Sequence, residues 1–187
     1  MNDANFHSLR TAEEIARRSL ALHSAIAAAH GVSKTELIKW LKQEKLWDEL
    51  TPRELAFITQ DENRRKAVVW MTWFIEAQVT LLWSIQKLDE LPPPVEKCDP
   101  ASIIAAMPSL FGATSPFVES AVLRSAEEIK YAEESIYNIH CDINQAVRKG
   151  EKIPRDYDKD VVFFRHYGLS WISGYCEQSW DEITPDT

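Results

Sequence analysis

Apolar residues along this chain recur at helical intervals, and no stretch alternates apolar and polar with the period of two that a strand requires. The clearest seam is Ile129, Ala132, Ile136, Ile139, Ile143 and Ala146, whose steps of three and four residues mark one face of a long helix. Its opposite face carries Glu127, Lys130, Glu134 and Arg148. Such a seam suits near-antiparallel packing on a neighbouring helix.

Start and stop signals bracket further helices. Thr11-Ala-Glu-Glu14, Ser33-Lys-Thr-Glu36, Thr51-Pro-Arg-Glu54 and Ser125-Ala-Glu-Glu128 each have the spacing of a capping box. These open helices ending near Gly31, Leu46, Thr59 and Gly150. Pro52 falls at a first helical position, where its missing N–H costs nothing. Asp99-Pro100 predicts a short helix to Met107, with a loop from Gly112 to Pro116. Asp158 predicts a last helix to Ser173.

The segment from Glu62 to about Leu88 is apolar on every face, with Val69, Trp70, Trp73, Phe74, Leu81, Leu82, Trp83 and Ile85. Between Ala67 and Gln86 its only charged side chain is Glu76. A helix of that kind is a membrane span or the buried centre of a fold. Glu76 near the midpoint, Gln78 and Gln86, and tryptophans spread through the run favour the second reading. Leu91-Pro-Pro-Pro94 then stops the chain. The pattern therefore predicts an all-α, single-domain bundle of six to eight helices over residues 1–187. A buried Trp-rich helix is expected at its centre, with less ordered ends at 1–10 and 179–187.

Composition sharpens this picture. The chain has 187 residues, 45% of them hydrophobic, with seven Trp and seven Phe, enough to build one core without covalent staples. The formal net charge of −8 argues against nucleic acid and anionic membrane surfaces, since the longest basic cluster is only Arg64-Arg65-Lys66. Helices over 33–46 and 51–59 imitate a helix-turn-helix, but the second carries only Arg53. Cys98, Cys141 and Cys176 are too widely spaced for a zinc knuckle or a readable disulfide pattern. The opening residues have no basic segment followed by an apolar one, so a cytoplasmic location is expected.

Several pieces read in order form a pattern: Arg17-Arg18-Ser19-Leu20, Trp40-Leu-Lys-Gln-Glu-Lys-Leu-Trp47, Arg65 ahead of the helix with Glu76, and Leu82-Trp83 before the proline run. Arg165-His166-Tyr167 with Trp171, and Trp180-Asp-Glu-Ile-Thr-Pro-Asp-Thr187, complete it. Together they resemble the bacterial family called domain of unknown function 4272, over nearly the whole chain. That resemblance implies a fold and a bacterial origin but carries no activity. Where the family pattern has Asn before the last helix's tryptophan, this chain has Ser170.

Candidate chemistry centres on Glu76. Inside an apolar helix its carboxylate must be paired, hydrogen-bonded or protonated. One reading is a general acid or base in an apolar pocket; the other is a structural ion pair, with Arg165 as its partner. His166 is a proton shuttle or a core histidine. Glu133, Tyr137, His140 and Asn144 make a polar stripe on the long helix, which is a cleft wall or an ordinary boundary. No spacing supplies a metal centre, a nucleophile elbow or a phosphate loop, so neither metal nor cofactor is expected. Two functions remain open. One is a binding protein that meets a basic protein surface through acidic residues. The other is a small enzyme or ligand-binding protein with a cleft at Glu76, Arg165, His166 and His140.

Overall fold

A computed structural model describes residues 8–60 and 65–185. Among these residues there are nine α-helical segments and no strand, so the protein is all-α. They are α1 (Ala12–Ala29), α2 (Lys34–Gln43), α3 (Pro52–Thr59), α4 (Arg65–Trp73), α5 (Ile75–Ser84), α6 (Pro100–Ala106), α7 (Ser115–Glu119), α8 (Ala126–Lys149) and α9 (Lys159–Ile172).

Local chemistry sets most of the boundaries. The boxes at Thr11, Thr51 and Ser125 close in both directions, each hydroxyl accepting the amide three residues on while the glutamate returns to the cap amide. Ser33 accepts the Glu36 amide, and α2 ends at Gln43 rather than near Leu46. Asp99 and Asp158 cap α6 and α9. α8 ends at Gly150, whose φ of +69° is the left-handed conformation that a residue without Cβ adopts at no cost.

Helix packing gives a row: α5 lies between α1 and α9, and α9 lies between α5 and α8. α2 and α3 cover α1, and α6 covers α5. Contacts of Glu133 with Ser173 and of His140 with His166 show that α8 and α9 run antiparallel. α9 comes close to α5 at Gly168. A Cβ there would strike Thr80 and come 3.0 Å from the Ala77 carbonyl.

The long apolar helix expected over 62–88 is divided. It breaks at Phe74, where the amide reaches back three residues to Met71 instead of four, and it ends at Ser84. The predicted start at Glu62 and Arg64 of the basic cluster lie outside the described residues. Counting α4 and α5 as two halves of that helix returns the number of helices to eight. Only α5 is central: every residue from Glu76 to Ser84 is buried. α4 is peripheral, with Met71 its one buried residue and Val69 and Trp70 48% and 40% exposed. The reason lies in Phe74, whose ring is wedged among Phe164, Tyr167 and Trp180 and pins the chain at that point. Beyond Ser84, Arg124 closes the end of α5 by donating to the carbonyls of Trp83, Leu88 and Asp89.

The acidic stretch after Ser179 is likewise no solvated tail. Trp180 and Ile183 are buried, and Trp180 packs on Phe74, Tyr167 and Trp171 with the Arg18 guanidinium over its ring. Residues 1–7, 186 and 187 of the expected ends lie outside the described residues. Among the described residues no helix is long and apolar enough to cross a membrane.

Candidate functional site

The six residues singled out from the sequence do not converge on a single site. Glu76 sits on α5 with no exposed surface, and Arg165 on α9 is 1% exposed. Nε and Nη2 of Arg165 both donate to Oε2 of Glu76, at 3.1 and 3.0 Å. The second oxygen, Oε1, accepts the Cys98 amide at 2.8 Å, and Nη1 of Arg165 donates to the Pro92 carbonyl. Each nitrogen and oxygen of the pair has a partner, which is the condition for tolerating buried charge. The Cys98 thiol beside them is pushed up to about 12 by burial and by the neighbouring carboxylate. Both carboxylate oxygens of Glu76 are thus engaged and shielded from solvent among the described residues. A groove of about 470 Å³ between the proline run and α8 reaches Arg165, but all three nitrogens of that guanidinium already donate elsewhere.

His140 and His166 meet across the α8–α9 seam, Nδ1 to Nδ1 at 2.9 Å with their rings perpendicular. Both are buried. One ring must donate and the other accept, so the neutral pair shares a single proton between the facing nitrogens. Burial holds His140 below the ordinary imidazole range, and burial together with its neighbour lowers His166 to about 4. On α9, positions 165 and 166 point roughly 100° apart. The imidazole pair and the ion pair are thus separate networks, not one site.

The polar stripe on α8 divides in the same way. Glu133 accepts the Ser173 hydroxyl at 3.1 Å, and burial raises its carboxyl. Tyr137 is 45% exposed, stands edge-on to His166, and has its hydroxyl raised through a hydrogen bond with Cys141 one turn on. Among the described residues no group of three or more His, Cys, Asp and Glu is placed to hold a metal.

Two features had no sequence signal strong enough to single them out. The first is a second buried ion pair, in which Nη2 of Arg18 meets both carboxylate oxygens of Glu54, at 2.6 Å for Oε2. Glu54 thereby serves the α3 cap and the α1–α3 contact together. The second is a pocket of about 460 Å³, partly open to solvent, between α1, α5, α6 and the loop that follows α6. Its apolar walls include Ile26, Ile75, Ile103 and Met107, and its polar groups are His23, His30, Gln78 and Ser109. Gln78 is fully buried; its Nε2 donates to the Ser19 carbonyl at 3.4 Å, and its amide lies against the His23 imidazole. The reverse amide orientation would set two oxygens against each other. Burial lowers the His23 imidazole, and the Gln78 amide opposes that only in part.

The ion pair and the cavity are mechanically joined. Cys98 immediately precedes the α6 cap, so the bond from its amide to Glu76 fixes where the outer wall of the cavity begins. The far end of that wall is tied by Trp40 Nε1 to the Gly112 carbonyl at 2.7 Å and by Glu44 to Thr114.

Comparison with known proteins places this arrangement in a family. The model of the family described as Domain of unknown function (DUF4272) matches residues 1–183. No curated protein and no solved structure matches the chain.

Proposed function

The chain belongs to that family, whose description assigns no activity, and we propose that it is a small-molecule-binding protein with its site in the cavity between α1, α5 and α6. The observation that carries this reading is the cavity itself: about 460 Å³ of mostly apolar wall with a few polar groups. That is the size and lining of ordinary ligand pockets, which are largely formed before the ligand arrives. The sealed Glu76–Arg165 pair is then a positioning device. It holds the Cys98 end of the α6 wall rather than meeting the ligand.

A melting-temperature screen against small apolar molecules tests the reading. A ligand present at a hundred times its dissociation constant adds about 2.7 kcal/mol, a shift of several degrees for a domain of this size. Ala27 lines the cavity, and Ala27→Phe fills it from the α1 side. The expected result is a rise in the wild type that this variant abolishes. A rise that survives the filling, or none with any molecule, removes the proposal.

A further inference from the structure

We propose that the groove between α4 and α9 is a second binding site, which takes a small carboxylate with a flat aromatic body: the ring lies on Trp70, and Arg65 and Lys66 hold the carboxylate. The groove has a volume of about 570 Å³ and is lined by Arg65, Lys66, Val69, Trp70 and Trp73 on one side and by Phe164 on the other. Steps of three and four residues put the α4 positions on one side of that helix, with the two cations at one end and the indoles toward the other. Trp73 is already engaged, stacked on Phe164 with Nζ of Lys97 4.2 Å from the centre of its ring. Trp70 is not. It meets Phe74, Phe163 and Phe164 at interplanar angles of 89°, 59° and 59°, so no ring is stacked on it, and it stays 40% exposed beside the exposed Val69. An indole open to water next to further apolar surface offers contact area to a flat ring. Charge selects the rest of the ligand. Among the described residues neither Arg65 nor Lys66 has an ion pair or a side-chain hydrogen bond. The lining holds one carboxylate, Asp160, against these two cations, so the groove is net positive on a chain whose formal charge is −8. A planar guanidinium beside an ammonium attracts a carboxylate and repels an amine.

Three molecules sharing one ring system separate these demands: 1-naphthoate, 1-naphthamide and 1-naphthylmethylammonium, titrated calorimetrically at pH 7.4 in low salt. Naphthoate is expected to bind at least about ten-fold more tightly than the amide, and the ammonium most weakly, with the gap narrowing as salt is raised. The double variant Arg65→Gln, Lys66→Gln should bind naphthoate and naphthamide alike. Trp70→Ala should weaken both by about ten-fold. Each of the three carries a polar group, unlike the apolar molecules that test the α1–α5–α6 pocket, and naphthoate should bind Ala27→Phe as it binds the wild type. Loss of binding in Ala27→Phe puts the ligand in that other pocket and overturns the α4–α9 site. Naphthamide binding as tightly as naphthoate, a naphthoate preference that persists in the double variant, binding unchanged in Trp70→Ala, or failure of all three to bind also overturns it. If Trp70→Ala does not fold, the double variant, which changes only exposed side chains, decides alone.

Discussion

Both hydrogen bonds from Arg165 to Glu76 fall on the same carboxylate oxygen, which leaves the other free to hold the Cys98 amide. The arrangement is a three-way junction of α5, α9 and the chain entering α6. Removing one charge strands the other in the interior, at a cost of about 3–5 kcal/mol. Arg165→Met is therefore expected to lower the urea midpoint sharply. The double variant Glu76→Gln, Arg165→Met should recover part of the loss, because neither remaining group is ionised. Equal midpoints for the single and the double variant would show that stranded charge is not the cause.

Acid should loosen the α8–α9 seam. His166 titrates at about 4 in the folded protein against an ordinary value of 6.5, and His140 is displaced in the same direction. Between those values the unfolded chain binds protons that the folded one refuses, so stability is complete above about pH 6.5 and falls as the pH drops toward 4. Each tenfold weakening of proton binding corresponds to about 1.4 kcal/mol, and the expected loss is on the order of 3 kcal/mol. Glu133, with its carboxyl raised by burial, acts in the opposite sense. Unfolding of the wild type and of His166→Gln, followed from pH 7 to pH 4, isolates the imidazoles. The variant should show the flatter profile, and parallel profiles would refute the assignment.

Gly168 decides how closely α9 approaches α5. Its missing Cβ leaves room for the Thr80 hydroxyl, which bonds back to the Ala77 carbonyl at 2.7 Å. Gly168→Ala is expected to destabilise by about 3 kcal/mol through overpacking, despite alanine's better helix propensity. Thr80→Ala in the same chain should restore only part of this, because the added Cβ still meets the Ala77 carbonyl at 3.0 Å. Thermal unfolding of the wild type, the single variant and the double variant gives the comparison. A stabilised Gly168→Ala would place the helices farther apart than described.

The three thiols should separate by rate. Cys176 is exposed, Cys141 is intermediate, and Cys98 is buried with its thiol held up at about 12. The thiolate is the reactive form. A thiol reagent at pH 8 should modify Cys176 first, Cys141 more slowly, and Cys98 only when the protein unfolds. Rapid native-state labelling of Cys98 would mean that the α6 wall opens freely.

The parts of this fold readable in the sequence are those decided within a few residues. Thr11, Thr51 and Ser125 announce their helices because cap and partner lie three positions apart. A carboxylate in one apolar run and an arginine in another also constrain each other, since neither is stable in an interior alone. The break at Phe74 is not local: it depends on rings contributed by Tyr167 and Trp180. Neither is the burial of Trp180, which sits in an acidic, polar stretch whose composition signals solvent. The cavity is least legible of all. Its walls are ordinary aliphatic residues drawn from three separated elements, and Gln78 is one amide in an apolar run, with nothing in its spacing to mark it.

The wedge of Trp180 also bears on how the chain reaches this state. The Arg10 amide just before α1 donates to the Ile172 carbonyl, and the Arg18 guanidinium lies over Trp180. These closures join residues near the two ends of the described structure, the kind of long-range pairing that slows folding. The apolar face of α1 is therefore complete only once the segment around Trp180 has docked, which sets that closure among the late steps of folding.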